Sequence, residues 1–200
     1  MPFSSIKAAI SDFRKGKLLI VVDEKHRENE GDMVLAAEKV TPEKINFMIK
    51  HARGLVCVPM LGKRLAELNL PPMTKVNTEL HKCKFTVSVD YKHGTTTGIS
   101  AYDRAKTIKA LIEKRTKPND LARPGHVFPL RYDEGGLKKR PGHTEAAIEL
   151  CKLAKVYPVA VICEIISWNG KMAGLRELKR FAKKYNLKMI GIKELMHHSE

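Results

Sequence analysis

Carboxylates at alternating positions are the feature of this sequence that most directly suggests chemistry. Within an acidic stretch, Glu28, Glu30 and Asp32 are spaced two residues apart. In an extended segment alternate side chains point to the same face, so these carboxylates would converge. Such a cluster suits a hard divalent cation, and Arg27 beside it suits an anionic group such as phosphate. A solvated acidic loop between two strands explains the same residues, so the rest of the sequence must decide between the two interpretations.

Two further polar segments hold candidate binding residues. His93–Gly98 contains glycines that let the backbone approach a ligand and three threonines, among them Thr97, whose hydroxyls suit a phosphate near the next helix. A simple strand-to-helix turn explains this segment nearly as well. Arg123–His126 brings an imidazole to the start of a predicted strand, where a lone histidine is more often structural than catalytic.

An Arg/His/Thr cluster and one isolated carboxylate complete the candidates. Arg140, His143 and Thr144 stand at a predicted helix start, where unpaired backbone N–H groups suit phosphate. His143 would instead bind a metal if a carboxylate joined it. Glu164 lies in the apolar run Val161–Ile166, where burial predicts a raised pKa of the kind that a general acid or base needs. A salt bridge at a strand end is the alternative for Glu164.

The composition limits the possible partners. Two hundred residues, 43% hydrophobic and 30% charged, fit one globular domain. The net charge of +15 suits an anionic partner, but aromatic residues make up only 6% and interrupt no Lys/Arg run, which disfavours nucleic acid. No apolar run approaches membrane-spanning length, and the first residues lack the layout of a signal peptide. Widely spaced cysteines predict free thiols in a reducing cytoplasm, with Cys57 in the core.

Helices and strands alternate between these candidate segments, without a linker or repeat. Ser5, Thr41 and Ser100 are the expected caps of three helices. Hydrophobic spacing predicts helices near residues 5–16, 41–52, 61–69, 100–115, 144–155 and 175–185. It predicts strands near residues 17–22, 32–38, 54–60, 84–91, 127–132, 158–166 and 187–192, and residues 196–200 are expected to fray. This order favours a single α/β (α+β) domain with a layered, mixed sheet.

Six segments, in order, resemble the 3,4-dihydroxy-2-butanone 4-phosphate synthase family of riboflavin biosynthesis. They are Arg27–Asp32, Phe85–Val89, Thr96–Ser100 with Asp103–Arg104, Arg123–Arg131, Gly142–Ala146 and Ile162–Glu164. The resemblance runs from about Ile6 to Leu195, and motifs of this length in this order are highly specific. It implies a three-layer α/β domain with a mixed sheet flanked by helices over residues 1–200. With no room for a fused GTP cyclohydrolase II domain, we expect the monofunctional form.

The resemblance also implies an activity. D-ribulose 5-phosphate would be converted to 3,4-dihydroxy-2-butanone 4-phosphate and formate with Mg²⁺ or Mn²⁺. The expected steps are metal-assisted enolisation, loss of water, a skeletal rearrangement and elimination of C4 as formate. The enzyme would be a cytoplasmic homodimer whose active sites draw on both subunits, with neither nucleic acid nor a membrane as partner.

Site residues follow from the same resemblance, position by position. Glu28 and His143 would be the metal ligands. The catalytic positions would be His126, Glu164, Cys57 and Glu30, and Asp23 matches a further acidic position. The substrate would be held by Arg27, Glu28, Asp32, Thr97, Arg140, Pro141, Gly142, His143, Thr144 and Glu164.

The sequence departs from the family pattern in two places. Lys25-His26 interrupts a lead-in that is usually acidic throughout, which weakens the local negative charge. Pro141 stands where many members have Arg or Gly, and its missing N–H removes one possible donor to substrate. Because the motif residues themselves are intact, we expect activity to be retained.

Overall fold

The computed structural model describes residues 3–24 and 26–198, so Lys25 of the unusual lead-in lies outside the described residues. The helices are α1 (Ile6–Arg14), α2 (Pro42–His51), α3 (Gly62–Glu67), α4 (Ala101–Ile112), α5 (Gly136–Lys139), α6 (His143–Ala154), α7 (Leu175–Tyr185) and α8 (Ile192–His198). The strands are β1 (Leu19–Val22), β2 (Gly31–Ala36), β3 (Cys57–Met60), β4 (Val89–Tyr91), β5 (Leu121–Arg131), β6 (Ala160–Glu164) and β7 (Lys188–Gly191). Within the described ranges, no helix combines the length and apolar character that crossing a membrane requires.

The strands form one mixed sheet in the order β4-β5-β3-β6-β2-β1-β7. β2 pairs antiparallel with both β1 and β6, and β3 is antiparallel to β6 but parallel to β5. β7 lies parallel to β1 at one edge, and β4 lies antiparallel to β5 at the other. Parallel neighbours need long crossover connections, which explains why helices cover both faces of the sheet.

A separate hydrophobic core lies on each face of the sheet. Ile45 of α2, Ile108 of α4 and Leu178 of α7 belong to one core. Phe13 of α1 and Leu150 of α6 belong to the other. Successive residues of each strand supply the two cores in turn, because strand side chains alternate between faces. The predicted three-layer α/β arrangement with a mixed sheet is confirmed.

Side-chain caps determine where three helices begin. The hydroxyls of Ser5, Thr41 and Ser100 each accept a hydrogen bond from the backbone N–H three residues later. Each hydroxyl thus satisfies a donor that the first helical turn leaves unpaired. Pro42 follows Thr41 at a position where its missing N–H costs nothing. These three predicted helix starts are confirmed.

The strand predicted over residues 84–91 is shorter than its alternating pattern indicates, since only Val89–Tyr91 forms β4. Just before β4, the N–H of Thr86 donates to the carbonyl oxygen of Pro129. The N–H of Val87 donates to the carbonyl oxygen of Pro71, which lies in a different segment. Proline has no N–H with which to return such a bond, so neither side develops into a regular ladder.

Two other sequence predictions were wrong. Arg123–His126 was expected to be a loop, but it lies inside β5, which already begins at Leu121. Residues in and just before β4 provide hydrogen-bond partners for this part of β5. The N–H of Gly125, for example, donates to the Ser88 hydroxyl. Residues 196–200 were expected to fray, but α8 continues through residues 196–198; residues 199 and 200 lie outside the described residues.

Candidate active site

Polar side chains from four elements meet at one end of the sheet, on the face covered by α6. Asp32 in β2 pairs in register with Glu164 at the end of β6, and Cys57 at the start of β3 pairs with Ile162. Alternate strand residues share a face. The side chains of Asp32, Cys57 and Glu164 therefore border one pocket, together with His143 at the start of α6.

This pocket has a volume of about 350 Å³ and contains most of the predicted site residues. Thr144 lies buried in its wall, whereas Pro141 is exposed. Gly142 lies against two arginines at the pocket edge. The predicted residues that line the pocket are Arg27, Glu28, Glu30, Asp32, Cys57, Arg140, His143, Thr144 and Glu164.

Two other cavities are of similar or larger size but lack this convergence of functional groups. One of about 1020 Å³ lies beneath the segment 71–86, next to Met73 and Val76. Another of about 370 Å³ lies between α2 and α7, next to Trp168. Neither brings several carboxylates onto one imidazole, so the chemistry of the lining selects the smaller pocket.

Asp23 organises the acidic loop. Its Oδ2 accepts hydrogen bonds from the backbone N–H of Glu28 at 2.9 Å and from Arg27 Nη1 at 3.2 Å. Its Oδ1 accepts from the backbone N–H of Glu30 at 2.8 Å. The side chain of Asp23 is almost wholly buried, so these bonds fix the loop against the sheet.

The loop is not the extended segment that the alternating carboxylates predicted. Residues 26–28 form a turn, and Asn29 adopts a left-handed φ of 56°. The extended conformation begins only with β2 at Gly31. Glu28, Glu30 and Asp32 nevertheless line the same pocket, because the turn folds the first of them back over the strand.

Glu28 and His143 form the centre of a possible metal site. Glu28 Oε2 lies 2.7 Å from Arg27 Nη1 and 3.4 Å from His143 Nδ1. His143 Nε2 lies 4.0 Å from Asp32 Oδ1, and both buried atoms have no hydrogen-bond partner in the described part of the chain. Ligand atoms of Asp23, Glu28 and His143 lie within 4.8 Å of one another. A cation or its water ligands would satisfy these atoms, so the residues fit a divalent metal.

The charges in the pocket are set by burial and by close partners. Burial alone raises the pKa of Glu28, but the hydrogen bond from His143 and the charge of Arg27 outweigh it and hold this pKa at about 2. Burial lowers the pKa of His143, but the charge of Asp32 and the hydrogen bond to Glu28 raise it above its usual range. Burial raises the pKa of Asp32 despite the charge of His143, and burial with the charge of Glu28 raises the pKa of Glu30. The pocket therefore pairs an ionised carboxylate with carboxyl groups suited to proton transfer.

Two guanidinium groups flank the pocket beside the start of α6. Arg140 Nη1 donates to Glu145 Oε2 at 2.6 Å, and its Nη2 donates to the carbonyl oxygen of His81 at 3.4 Å. A Cβ on Gly142 would lie 2.6 Å from Arg140 Nη1 and 2.8 Å from Arg27 Nη2. Glycine therefore lets both guanidinium groups approach the first turn of α6, an arrangement suited to a phosphate.

Glu164 is held by the chain that leads into β3. The N–H of Leu55 donates to Glu164 Oε2 at 2.7 Å, and the N–H of Gly54 donates to the Glu164 carbonyl oxygen at 3.1 Å. A Cβ on Gly54 would lie only 2.4 Å from Glu164 Oε2. The close approach of Gly54 thus fixes the carboxylate of Glu164, which the sequence predicted as a candidate acid or base, at the pocket.

Two thiols line the pocket, one of which the sequence did not indicate. Burial raises the pKa of the Cys57 thiol well above its usual value and raises that of Cys83 to about 11. Both thiols are therefore protonated near neutral pH and are poor nucleophiles. Cys83 reaches the pocket with Glu79 and His81 from an irregular segment, which only its position before the Phe85–Val89 motif could have indicated.

His126 and Thr97 do not line this pocket but lie together at the β4–β5 edge. His126 Nδ1 lies 2.7 Å from Asp90 Oδ2, and its backbone N–H donates to Asp90 Oδ1 at 2.9 Å. Thr97 is exposed and precedes Gly98, where the absent Cβ makes room for the Asp90 carboxylate. The sequence does not single out Asp90, because nothing in the spacing of the residues indicates its pairing with His126.

Thr97 also differs from the two threonines before it. The Thr96 hydroxyl donates to Asp103 at 2.7 Å, and the Thr95 hydroxyl donates to the Tyr91 carbonyl oxygen. These two hydroxyls hold the loop together, which corrects the expectation that all three threonines serve a phosphate. Thr97 is the threonine that remains for a ligand.

The chain is similar over nearly its whole length to known proteins. The family model described as 3,4-dihydroxy-2-butanone 4-phosphate synthase matches residues 7–198. The Riboflavin biosynthesis protein RibBA of Endomicrobium trichonymphae is 56% identical over 196 residues, which are 98% of this chain and 49% of that protein. The 3,4-dihydroxy-2-butanone 4-phosphate synthase of Agrobacterium fabrum is 50% identical over 198 residues, which are 99% of this chain and 93% of that protein.

The fold agrees with these matches. A crystal structure of 3,4-dihydroxy-2-butanone 4-phosphate synthase in complex with two magnesium ions has a TM-score of 0.93 and 42% identity, covering 98% of this chain and 96% of that chain. The chain spans about half the length of the RibBA proteins of Endomicrobium trichonymphae and Aquifex aeolicus. Its sequence matches the family model almost from end to end, and the chain belongs to the 3,4-dihydroxy-2-butanone 4-phosphate synthase family.

Proposed function

We propose that residues 1–200 act as one domain that converts D-ribulose 5-phosphate to 3,4-dihydroxy-2-butanone 4-phosphate and formate for riboflavin biosynthesis. The observation that carries this proposal is the contact of Glu28 with His143 in a pocket flanked by Arg27 and Arg140. The reaction divides a five-carbon sugar phosphate into a four-carbon product and formate without net oxidation. It therefore needs acid–base groups and charge stabilisation rather than a redox cofactor.

A divalent cation, Mg²⁺ or Mn²⁺, is the proposed cofactor. Glu28 and His143 would hold it, with the unpartnered Oδ1 of Asp32 beside them. When bound, the cation supplies Lewis acidity that makes the C3 proton of the ketose more acidic. The magnesium ions in the similar crystal structure support this assignment, and hard oxygen ligands with one imidazole suit either ion.

The other pocket residues have roles that follow from their positions. Arg27, Arg140 and Thr144 at the start of α6 would hold the phosphate, so that binding energy at the unreacting end orients the reacting carbons. Glu30 and Asp32, whose pKa values are raised by burial, would exchange protons with substrate oxygen and carbon atoms.

Four further residues complete the assignment of the site. Glu164, fixed by the N–H of Leu55, would serve as a general acid or base. Cys57 would contribute a neutral thiol to the pocket wall rather than a thiolate nucleophile. Gly142 would act by letting the two arginines approach, and Pro141 would shape the turn before it.

We further propose a homodimer in which His126 and Thr97 reach the pocket of the partner subunit. Thr97 is exposed and His126 is partly exposed at the β4–β5 edge, and neither residue lines the pocket of its own chain. Large apolar side chains are exposed near these residues in the sequence: Leu55, whose N–H donates to Glu164, is 40% exposed, and Tyr102, five residues after Thr97, is 70% exposed. Exposed apolar surface next to an incomplete site supports an interface between two copies.

We also propose a cytoplasmic location. Cys57, Cys83, Cys151 and Cys163 are all free, as expected in a reducing compartment. Similar proteins of Arabidopsis thaliana are named chloroplastic, so the fold alone does not determine the cellular location.

The direct test is incubation of the purified protein with D-ribulose 5-phosphate and Mg²⁺, with and without EDTA, followed by detection of formate and the four-carbon phosphate. We expect both products in equal amounts and their loss on chelation. Salt-sensitive RNA or DNA binding without formate production would instead support a nucleic-acid function for the +15 charge.

A further inference from the structure

Asp90 contacts His126 through both of its carboxylate oxygens. Oδ1 accepts the backbone N–H of His126 at 2.9 Å, and Oδ2 lies 2.7 Å from ring atom Nδ1. The side chain of Asp90 is only 13% exposed, whereas that of His126 is 42% exposed. The largely buried carboxylate of Asp90 thus contacts the Nδ1 side of the His126 ring, and the rest of the ring is partly exposed.

The surrounding backbone is shaped for this contact. A Cβ on Gly98 would lie 2.1 Å from Asp90 Oδ2, and a Cβ on Gly125 would lie 2.3 Å from the Asp90 backbone nitrogen. Gly98 has a φ of +94°, which glycine adopts readily. Any side chain at either position would push Asp90 away from His126, so two glycines keep the pair together. Arg104, a buried arginine, lies close enough to interact with the Asp90 charge.

The chemistry of the pair selects one tautomer of His126. An ionised carboxylate only accepts hydrogen bonds, so Nδ1 must carry the proton that it shares with Oδ2. In the neutral ring Nε2 then bears the lone pair and is the atom that can take a proton from a substrate. The positive charge that forms on the ring when Nε2 takes up a proton is stabilised by the carboxylate behind it.

We propose that Asp90 is a positioning residue for His126, fixing the orientation and the Nδ1–H tautomer that make Nε2 the proton acceptor. The inference rests on the proposed function, in which His126 acts on the substrate. Asp90 itself does not touch the reacting atoms. The same carboxylate also packs against Gly98, so it holds Thr97 and His126 in one fixed relation at the β4–β5 edge.

The tautomer can be measured without any activity assay. The protein would be labelled with ¹⁵N-histidine, and the His126 ring signals would be identified among the eight histidines by their loss in His126→Gln. At a pH where the ring is neutral, we expect a protonated Nδ1 and an unprotonated Nε2 in the wild type. A neutral ring protonated at Nε2 in the wild type would overturn the proposal, whatever the activity.

The consequence for catalysis is tested with Asp90→Asn. The amide keeps the size of the carboxylate and can accept only through one oxygen, so its NH₂ group favours the other tautomer. We expect kcat to fall by at least about 10-fold, as for other residues that orient a functional histidine, with KM changed less than about 3-fold. The ring signals of His126 should change in the same variant, and circular dichroism should show a retained fold.

Asp120→Asn is the matched control, because Asp120 pairs with His93 at 2.9 Å on the exposed surface near the same edge. We expect its kcat to equal that of the wild type. An Asp90→Asn enzyme with wild-type kcat or with unchanged His126 ring signals contradicts the positioning role. If the wild type forms no formate, the proposed function fails, and the ring signals alone decide the role of Asp90.

Discussion

Glu28 contacts both Arg27 and His143. Substitution of Glu28 or His143, the two proposed metal ligands, therefore tests metal binding separately from folding. We expect Glu28→Gln and His143→Ala each to abolish formate release while circular dichroism shows a retained fold. The affinity for Mn²⁺, measured by the loss of its free EPR signal, should fall at least about 10-fold because one ligand is removed. Glu24→Gln is the control, since its carboxylate lies in the same acidic stretch but is 61% exposed. Normal turnover of either ligand variant at saturating Mg²⁺ would overturn the metal assignment.

The role of Glu164 is separable from its packing, because the amide oxygen of a glutamine can still accept the N–H of Leu55. For Glu164→Gln we therefore expect a fold and KM close to those of the wild type. The kcat for formate release should fall by about 100-fold or more, the usual effect of losing a general acid or base. Steady-state kinetics decide the point: a raised KM with an unchanged kcat would show that Glu164 binds the substrate without transferring protons.

At the scale of single residues, the sequence could predict those functional positions that neighbouring residues in the sequence make conspicuous. Asp32 and Glu164 stand out as charges in apolar strands, and His143 stands at a helix start. Asp90 could not be predicted, because its partner His126 lies 36 positions away and is reached only through the pairing of β4 with β5. The Cys83 position was missed for a similar reason, since an irregular segment carries it into the pocket.

At the scale of elements, the start of α6 positions both arginines, and Gly142 is the residue that permits it. In Gly142→Ala the new methyl group must displace the flexible ends of Arg27 and Arg140 rather than backbone. We expect KM for the sugar phosphate to rise several-fold, while loss of a favourable cap residue costs about 1 kcal/mol of stability. Kinetics and urea unfolding would measure both effects. Gly174→Ala is the matched control, since Gly174 also caps a helix, α7, but has nothing within 4 Å of a Cβ; an equal rise in KM there would remove the steric explanation.

The connection from β5 to α5 predicts a pH dependence of stability. Hydrogen bonds from Lys84 and the backbone N–H of Gly135 hold the pKa of Asp133 well below its usual value, and Lys139 adds to this. A carboxylate with a depressed folded pKa stabilises fully above the unfolded pKa near 4 and loses this contribution as the pH falls through its folded value. In Asp133→Asn we expect a loss of only about 1 kcal/mol at pH 7, because Lys84 is partly exposed and Lys139 largely exposed, so solvent screens both ion pairs.

Urea unfolding of Asp133→Asn and the wild type between pH 8 and pH 3 tests this expectation. The two proteins should differ by a constant amount above about pH 5, and the difference should shrink steadily as the pH falls below about 4, because the folded pKa of Asp133 lies well below that of the unfolded chain. A difference at pH 3 equal to that at pH 7 would mean that Asp133 acts through packing and not through its charge.

The elements themselves were predictable where one signal dominates. Thr41 followed by Pro42 begins a helix whatever surrounds it, because cap and proline act locally. The segment before β4 has an equally clear alternating pattern, but its N–H groups bond to two different segments that contain proline. Alternation reports which side chains are buried; it cannot report whether the neighbouring strand is able to return hydrogen bonds.

At the scale of the whole molecule, the two groups of site residues occupy different places. Glu28, His143 and Glu164 line the pocket, whereas His126 and Thr97 lie with Asp90 at the β4–β5 edge. In a two-fold symmetric dimer every contact between the subunits occurs twice. If the β4–β5 edge of one subunit reaches the pocket of the other, the reverse contact completes the second pocket as well. The proposed dimer thus explains why residues of one family site are divided between two surfaces of one chain.

Subunit complementation tests this arrangement. Glu28→Gln and His126→Ala should each be inactive alone, because each variant dimer has two defective sites. After the two variants are mixed, unfolded and refolded together, half of the dimers are heterodimers, and each contains one site with both residues intact. Activity should therefore return to about one quarter of the wild-type value.

Mixing Glu28→Gln with His143→Ala is the control: both residues lie in the same pocket, so every site stays defective and no activity should return. If His126 served the pocket of its own chain, the first mixture would also remain inactive, because each subunit would carry a defect in its own site.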